Sequence, residues 1–475
     1  MFFSIEKWRR LLMTAICWLV IFAVVPVRPA ESFTVGEEKE IGEQLMAIVR
    51  KEFKVIDEPD VVQYVNRIGG DILRVAGPQF FNYHFFVIDN KEFNAFAAPS
   101  GMIFIHSGLI KTMGSEGELM SVIAHEIGHA ASRHIADRIE KSSKVNASSA
   151  AMALAGILLG AGPVSEAMVF GSMAAGTTMN LKFSRQDEEE ADRLAYKYMQ
   201  ELHRNPESMV SMLRKMYRID RYRQGQVPAY LLTHPEPARR MNYVQNLLLM
   251  DDKGGYSPED QFAFRRIKSR ILSITEEPAA LMPLYQRELA DSSLDADQRM
   301  MAMYGISLEQ LAGADFSGAI ASLSKVMAQY PDKITLQTDL GVIHFEAGNF
   351  DKAYVLFRDA LAAAPDSLQA KYYLARSLHR MGQMKESARL YEELLFRMPD
   401  NAGLHRKLGG IKAELGEMAS GYYHLGACQW YEGNEKMAKR HLQQAVELAK
   451  ANDRDVKKAA EDLLATIDRV EKAKK

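Results

Sequence analysis

A repeat of 34 residues in the second half of the chain limits its possible folds more than any other feature. Pro-Asp pairs recur at this spacing, beginning at Pro331, Pro365 and Pro399. Glycines keep the same period, at Gly348, Gly382 and Gly416. A fixed period of this length is typical of stacked helix pairs, because each unit buries its apolar face only against its neighbours. The region is therefore predicted to be an α-solenoid, which offers an extended binding surface and no chemistry of its own.

Within one period, small and large apolar residues stand where two crossing helices need them. The unit that ends at Pro365 carries three small residues and one large one, Gly341, Ala353, Ala360 and Phe357. This is the tetratricopeptide pattern. A polar, glycine-containing break at residues 251–258 precedes the repeats. We therefore predict a tetratricopeptide repeat domain at residues 259–475.

Composition narrows the functions that the remaining residues can have. The chain has 59 Lys and Arg against 61 Asp and Glu, a net charge of -2, so it lacks the basic character of nucleic-acid-binding proteins. Nucleic acid is not expected as a partner. Cys17 and Cys428 are the only cysteines, too few for a disulfide scaffold or a cysteine-based zinc site. Any bound metal must therefore rely on His, Asp and Glu.

The first thirty residues have the pattern of an export signal. Three basic residues precede an apolar run over residues 11–27, which ends in a proline-containing segment before Glu31. We predict a signal peptide at residues 1–30 and a periplasmic location. Arg28 stands where a signal peptidase site prefers a small residue, so an uncleaved inner-membrane anchor is the alternative.

The chemistry is predicted in residues 31–250, a mostly helical region with a small sheet. Residues His125–His129 read H-E-x-x-H, within a segment predicted to be helical over 118–139. Residues four apart share one face of a helix, so His125 and His129 can bind one Zn²⁺ while Glu126 accepts a proton from water. The motif alone is only moderately specific, and a third ligand is required.

An acidic helix start further along offers that ligand. Glu188 and Asp192 lie four residues apart on one predicted helix face. Glu188 can bind the metal, while Asp192 can accept a hydrogen bond from the free ring nitrogen of a ligand histidine. Glu189 and Glu190 are close rivals by position. The alternative is that these acids remain solvated and merely complement the helix dipole.

Four separated motifs resemble the zinc metallopeptidases related to the CAAX-prenyl protease and HtpX. They are Asn94–Ala97 with Ile103–Leu109, the H-E-x-x-H of His125–His129, Ser184–Arg185 with Glu188, Ala191 and Asp192, and Thr233–Pro235 with Arg240. The resemblance covers residues 33 to 250 and implies a gluzincin-type domain with one Zn²⁺ bound by His125, His129 and Glu188. With the signal sequence and the repeats, the whole chain resembles the periplasmic BepA-like type, which implies a role in outer-membrane protein quality control.

Two further predictions come with this resemblance. The run Met102, Ile103, Phe104 and Ile105 resembles the edge strand that pairs with substrate backbone in the family, although an ordinary buried strand is the alternative. His234 is expected near the active site, where it could bind zinc in a latent enzyme, stabilise the oxyanion or have a structural role. Arg240 is a second candidate for stabilising developing negative charge.

Two functions from different classes remain open on the sequence. The first is a zinc endopeptidase of the bacterial envelope that degrades misfolded outer-membrane proteins and assists their assembly. The second is a chaperone or adaptor that acts through the repeats while its zinc site is latent. Glu126 favours the first, because a purely structural site needs no general base. The expected partners are misfolded envelope polypeptides and the outer-membrane protein assembly machinery, with attachment at the membrane periphery as a further option.

Overall fold

The structure is a computed structural model that describes residues 34–142, 146–159, 182–222, 229–250, 255–450 and 453–473. The predicted signal peptide or anchor at residues 1–30 lies outside these ranges. The elements up to Met250, here called the N-terminal region, are α1 (Val35–Glu52), β1 (Val55–Ile56), α2 (Pro59–Ala76), β2 (His84–Ile88), β3 (Ala95–Ala98), β4 (Met102–His106), α3 (Ser107–Thr112), α4 (Glu116–Ala131), α5 (His134–Lys141), α6 (Ala147–Leu159), α7 (Arg185–Glu201), α8 (Glu207–Tyr222), α9 (Ala229–Thr233) and α10 (Pro237–Leu249).

The rest of the described chain is helical. Its elements are α11 (Gln261–Thr275), α12 (Pro278–Ala290), α13 (Ala296–Ala312), α14 (Phe316–Gln329), α15 (Ile334–Glu346), α16 (Phe350–Ala363), α17 (Leu368–Arg380), α18 (Met384–Arg397), α19 (Ala402–Glu414), α20 (Met418–Tyr431), α21 (Glu435–Leu448) and α22 (Arg454–Ala473). The predicted architecture, a mainly helical region with a small sheet followed by a helical array, is confirmed. Across the described ranges, we find no helix with the length and apolar character of a membrane span.

The sheet has the strand order β1-β2-β4-β3. Strand β4 runs parallel to β2 on one side and antiparallel to β3 on the other. The prediction that Met102, Ile103, Phe104 and Ile105 form an edge strand is therefore wrong, since these residues are interior to the sheet. A reversal at Ser100 and Gly101, both with positive φ (70° and 74°), folds β3 back along β4. Strand β3, Ala95–Ala98, consequently occupies that edge of the described sheet.

One face of the sheet packs against α2 and against α4, the helix that holds the H-E-x-x-H motif. Phe85 and Ile103 share a buried apolar cluster with Ile68 of α2 and Ile123 of α4. The predicted helix over 118–139 is in fact two helices, because Arg133 adopts a left-handed conformation (φ 54°) between α4 and α5. The Arg133 side chain there is paired with Glu38 of α1, a contact 95 residues away in sequence.

The repeat pattern has the structural basis that its spacing predicts. Gly341 of α15 lies so close to Phe357 of α16 that a Cβ there would come within 2.5 Å of the ring. The periodic glycines, Gly348, Gly382 and Gly416, all have φ near +80°. Each of them follows the first helix of a pair, where the chain turns back into the second helix. Residues with a Cβ rarely adopt such a positive φ, which explains the glycine.

The described residues from Val35 onward belong to one compact unit. Helix α11, which follows the predicted division at residues 251–258, places Phe264, Ile267 and Ile271 in the apolar cluster of the N-terminal region. At the other end of the chain, Ile467 of α22 packs in a cluster with Ala47 of α1. The division into domains at residues 31–250 and 259–475 thus remains a prediction. In the structure, residues of the two segments share apolar clusters.

Candidate metal centre

Helix α4 presents both histidines of the H-E-x-x-H motif to one point. The helix begins after Ser115, whose hydroxyl oxygen accepts a hydrogen bond from the Glu118 N–H. His125 and His129 follow one turn apart, and their Nε2 atoms are 3.0 Å apart. Both rings have 0% exposure. Two neutral imidazoles at this spacing can bind one metal ion.

Helix α7 adds a carboxylate to this pair. The helix begins with a capping box between Ser184 and Asp187. This fixed start determines the direction in which the side chain of Glu188, the residue after Asp187, points. The Oε1 atom of Glu188 is 3.4 Å from His129 Nε2, and its Oε2 atom is 3.6 Å from His125 Nε2.

The two rivals of Glu188 have other partners. Glu189 pairs with Arg239 at 3.1 Å, and Glu190 accepts a hydrogen bond of 3.0 Å from the Ser132 hydroxyl. Of the three neighbouring acids, the structure therefore directs Glu188 to the histidines.

His234, in the loop after α9, completes the cluster. Its Nδ1 atom is 3.0 Å from Glu188 Oε1 and 3.4 Å from His125 Nε2. One ligand atom from each of His125, His129, Glu188 and His234 lies within 4.8 Å of the other three. Among the described residues, this is the only cluster that could hold a metal ion.

The unsatisfied polar atoms of the cluster fit a bound cation. Glu188 Oε2 and His234 Nε2 are buried and make no hydrogen bond, although Arg240 Nη1 lies 2.8 Å from Glu188 Oε2. Burial lowers the pKa of His129 well below its usual range, so its ring stays neutral. Burial alone would raise the pKa of Glu188, but the charge of Arg240, together with His234 and His129, holds it well below its usual range. Neutral imidazoles beside an ionised carboxylate are a suitable donor set for Zn²⁺.

Glu126 lies beside the cluster and is held from two elements. Its Oε2 atom accepts a hydrogen bond of 2.9 Å from the Ala97 N–H of β3. Its Oε1 atom accepts one of 3.3 Å from the Tyr230 hydroxyl of α9 and lies 3.6 Å from His234 Nε2. The carboxylate is fully buried, so it is positioned to exchange a proton with a group that occupies the space near His234.

Asp192 and Arg240 both contact His125, and Arg240 also reaches Glu188. Asp192 Oδ1 is 2.9 Å from His125 Nδ1, the ring nitrogen that faces away from the cluster. Arg240 donates hydrogen bonds of 2.9 and 2.7 Å to the two oxygens of Asp192. Burial opposes ionisation of Asp192, but the charge of Arg240 outweighs it and lowers the pKa to about 2. Arg240 is therefore already paired with Asp192 and Glu188. This pairing favours a role in holding those two carboxylates in place, rather than in binding an oxyanion.

Comparison with known families identifies this region. Residues 59–248, which include all four side chains of the metal cluster, match peptidase family M48. This region is a peptidase family M48 domain. Tetratricopeptide repeat matches follow it at residues 304–367, 344–409 and 419–452. The resemblance inferred from the motifs and the predicted repeats are both confirmed.

Two of the following relatives match this chain over more than the length of the M48 domain, and the third matches a shorter stretch. The Beta-barrel assembly-enhancing protease of Escherichia coli (strain K12) is 28% identical over 410 residues, which cover 82% of this chain and 81% of the relative. The Putative beta-barrel assembly-enhancing protease of Vibrio cholerae is 28% identical over 307 residues, 63% of this chain and 62% of the relative. Metalloprotease LoiP of Escherichia coli is 29% identical over 161 residues, 34% of this chain and 61% of LoiP. The chain is thus a metallopeptidase that also carries tetratricopeptide repeats.

Sequence reasoning missed three residues that contact the M48 site. His134 Nδ1 lies 2.8 Å from His129 Nδ1, and the Phe183 ring stacks on His129 at 3.9 Å between centroids. Tyr230 is the third. No short motif marks these positions, because each reaches the site from a different element. The nearest signals were Ser184–Arg185, directly after Phe183, and Thr233–Pro235, three residues after Tyr230.

Proposed function

We propose that this chain is a zinc-dependent endopeptidase of the bacterial envelope that cleaves unfolded or misfolded polypeptides. The observation that carries the proposal is the placement of the Glu126 carboxylate beside a buried cluster of three histidines and Glu188. The test is hydrolysis of casein by the purified protein with and without a chelator. We expect chelation to abolish cleavage and added Zn²⁺ to restore it. Cleavage that survives complete removal of metal would refute the zinc mechanism.

In the proposed mechanism, His125, His129 and Glu188 would hold the ion, and Glu126 transfers the proton. Zn²⁺, when bound, would supply Lewis-acid chemistry for a water nucleophile and a peptide carbonyl. Glu126 Oε1 accepts a proton as the water oxygen bonds to the carbonyl carbon, and returns a proton to the amide nitrogen as the C–N bond breaks. Asp192 and Arg240 keep His125 and Glu188 in the required orientation.

We propose that His234 keeps this site latent. Its ring lies between Glu188 and Glu126, with Nδ1 3.0 Å from one carboxylate and Nε2 3.6 Å from the other. A ring in that position occupies the space that a nucleophilic water and a substrate carbonyl need. Latency suits a protease that encounters many extended chains, because cleavage then requires the loop after α9 to move.

We propose that an extended substrate pairs with the edge of the sheet, whose residues Ala95–Ala98 are buried in this structure. Strand β3 is the edge of the described sheet on the side of the active site, and its Ala97 already contacts Glu126 through its backbone N–H. An extended peptide that pairs with a sheet edge through its backbone can be recognised largely independently of its amino-acid sequence. This arrangement supports cleavage of unfolded segments rather than of one folded substrate.

The relatives suggest the partners. Two of them are named for enhancement of β-barrel assembly, and we propose that this chain likewise acts on outer-membrane proteins and docks on their assembly machinery through its repeats. Arg376 of α17 is held in place by the rings of Phe345 and Tyr373 and by an ion pair with Glu346 at 3.0 Å, so it is a fixed position from which docking can be probed. Crosslinking from position 376 in intact cells tests the docking surface. Crosslinks to assembly components are expected, and their absence at every position of α17 would exclude this face.

A chaperone or adaptor with a latent site is the second candidate. It is favoured by the burial of the whole site, where Glu126, His125, His129 and His234 have 0% exposure. The Glu126→Gln protein distinguishes the two candidates. If the chain is an endopeptidase, this protein should fail to support degradation of misfolded outer-membrane proteins. If the chain is an adaptor, it should support their assembly as well as the wild type does.

We propose a periplasmic location, with residues 1–30 as signal peptide or anchor, residues 31–250 as the peptidase domain and residues 259–475 as the repeat domain. The support is the basic and apolar pattern of the first thirty residues. Cell fractionation with N-terminal sequencing of the mature chain tests this proposal. Recovery in the cytoplasm with an intact N-terminus would overturn it.

A further inference from the structure

Tyr230 contacts the M48 site without belonging to the metal cluster. It lies on α9, with 0% of its side chain exposed. Its ring stacks on His234 with 4.2 Å between centroids and an interplanar angle of 19°. The edge of its ring contacts Phe93 at 6.0 Å. Packing on both sides therefore fixes where its hydroxyl points, which is at Glu126 Oε1, 3.3 Å away.

The two oxygens of Glu126 have one donor each, and the donors belong to different elements. The Ala97 N–H of β3 bonds to Oε2 at 2.9 Å, and the Tyr230 hydroxyl bonds to Oε1. A carboxylate held at one oxygen can still rotate about its terminal bond, whereas donors on both oxygens define its plane.

We infer that Tyr230 is a positioning residue for the general base: its hydroxyl holds Glu126 Oε1 in the orientation that proton transfer requires. The inference rests on the proposed endopeptidase function. The phenol occupies one lone pair of Oε1 and leaves the other for the proton of the attacking water. The sheet thus fixes one oxygen of the carboxylate, and helix α9 fixes the other.

Tyr230→Phe tests this role, because it removes the hydroxyl and keeps the ring that stacks on His234. We expect kcat for a short peptide to fall about 10- to 100-fold, since a small misplacement of a catalytic group is costly. The KM, the zinc content by mass spectrometry and the melting temperature of the zinc-free protein should remain those of the wild type. The matched control is Tyr196→Phe, which removes a hydroxyl that also donates over 3.3 Å, but to the Leu247 carbonyl away from the site. This control should leave kcat unchanged.

A second variant separates the hydroxyl from the packing of the ring. Phe93→Leu removes the edge contact with Tyr230 and keeps the hydroxyl, so it should retain more activity than Tyr230→Phe at equal zinc content. The inference is overturned if Tyr230→Phe has unchanged or higher kcat, or if its loss of kcat comes with an equal loss of zinc. Failure of the proposed function would instead appear in the wild type, as hydrolysis that chelators do not affect.

Discussion

At the residue scale, Glu126 is proposed to move a proton that an amide in its place cannot take. Glu126→Gln keeps the shape of the side chain and leaves His125, His129 and Glu188 intact. We expect a normal zinc content by mass spectrometry and a loss of peptide cleavage of about 10²- to 10⁴-fold, the usual contribution of a general base. Undiminished turnover would remove Glu126 from the mechanism.

The choice among three neighbouring acids is also a prediction at this scale. Glu188→Ala removes the carboxylate from the cluster, so we expect loss of both zinc and activity, because no charged ligand then remains beside the histidines. Glu189→Ala is the matched control, since Glu189 pairs with Arg239 at 3.1 Å on the exposed side of the same helix. Full zinc occupancy in Glu188→Ala would move the ligand to another residue.

The position of His234 predicts a gain of function on its removal. His234→Ala opens the space between Glu188 and Glu126, so a latent enzyme should hydrolyse casein several-fold faster and begin to cleave itself. Gel analysis of the purified variant alongside its zinc content measures both effects. Lower activity with zinc retained would indicate an oxyanion role, and no change in either would make His234 structural.

At the scale of elements, helix α11 belongs to the core of the M48 domain although it follows the break at residues 251–258. Phe264 of α11 has 1% exposure and packs in the same cluster as Ile123 of α4. Phe264→Ala should therefore lower the free energy of unfolding by about 3–5 kcal/mol, as deletion of a buried aromatic side chain usually does. Thermal unfolding of the zinc-free protein measures this change. Phe396→Ala, at a side chain with 88% exposure, is the control and should leave the melting temperature unchanged.

At the scale of the whole molecule, Arg266 of α11 joins the repeats to the M48 domain. Its guanidinium is paired with Asp339 of α15 at 2.5 Å and with Asp60 of α2 at 3.1 Å. Arg266→Ala removes the cation beside buried Asp339, while Arg270 still pairs with Asp60 at 2.5 Å, so we expect a loss of stability of about 3–5 kcal/mol in urea unfolding. Arg358→Ala, which breaks an exposed pair with Asp359, is the control and should have no measurable effect. Equal stability of the two variants would show that the network does not hold the regions together.

The sequence by itself determined the features that repeat or lie close together along the chain. The 34-residue period predicted the array, because each helix pair contacts mainly its neighbours. The H-E-x-x-H spacing predicted that His125 and His129 share a helix face, because four residues make about one turn. The cap at Ser184 is likewise a local signal, so the start of α7 could be predicted from residues close to Glu188.

Only the tertiary structure decided what depends on distant contacts. Apolar character marked Met102–His106 as a strand, but its interior place in the sheet follows from pairing with both β2 and β3. The break between α4 and α5 occurs where Arg133 pairs with Glu38, 95 residues away. Tyr230 reaches Glu126 across 104 residues of sequence. Such contacts depend on how whole elements pack, and the periodicity of a single segment carries no information about the side chain that another segment will place against it.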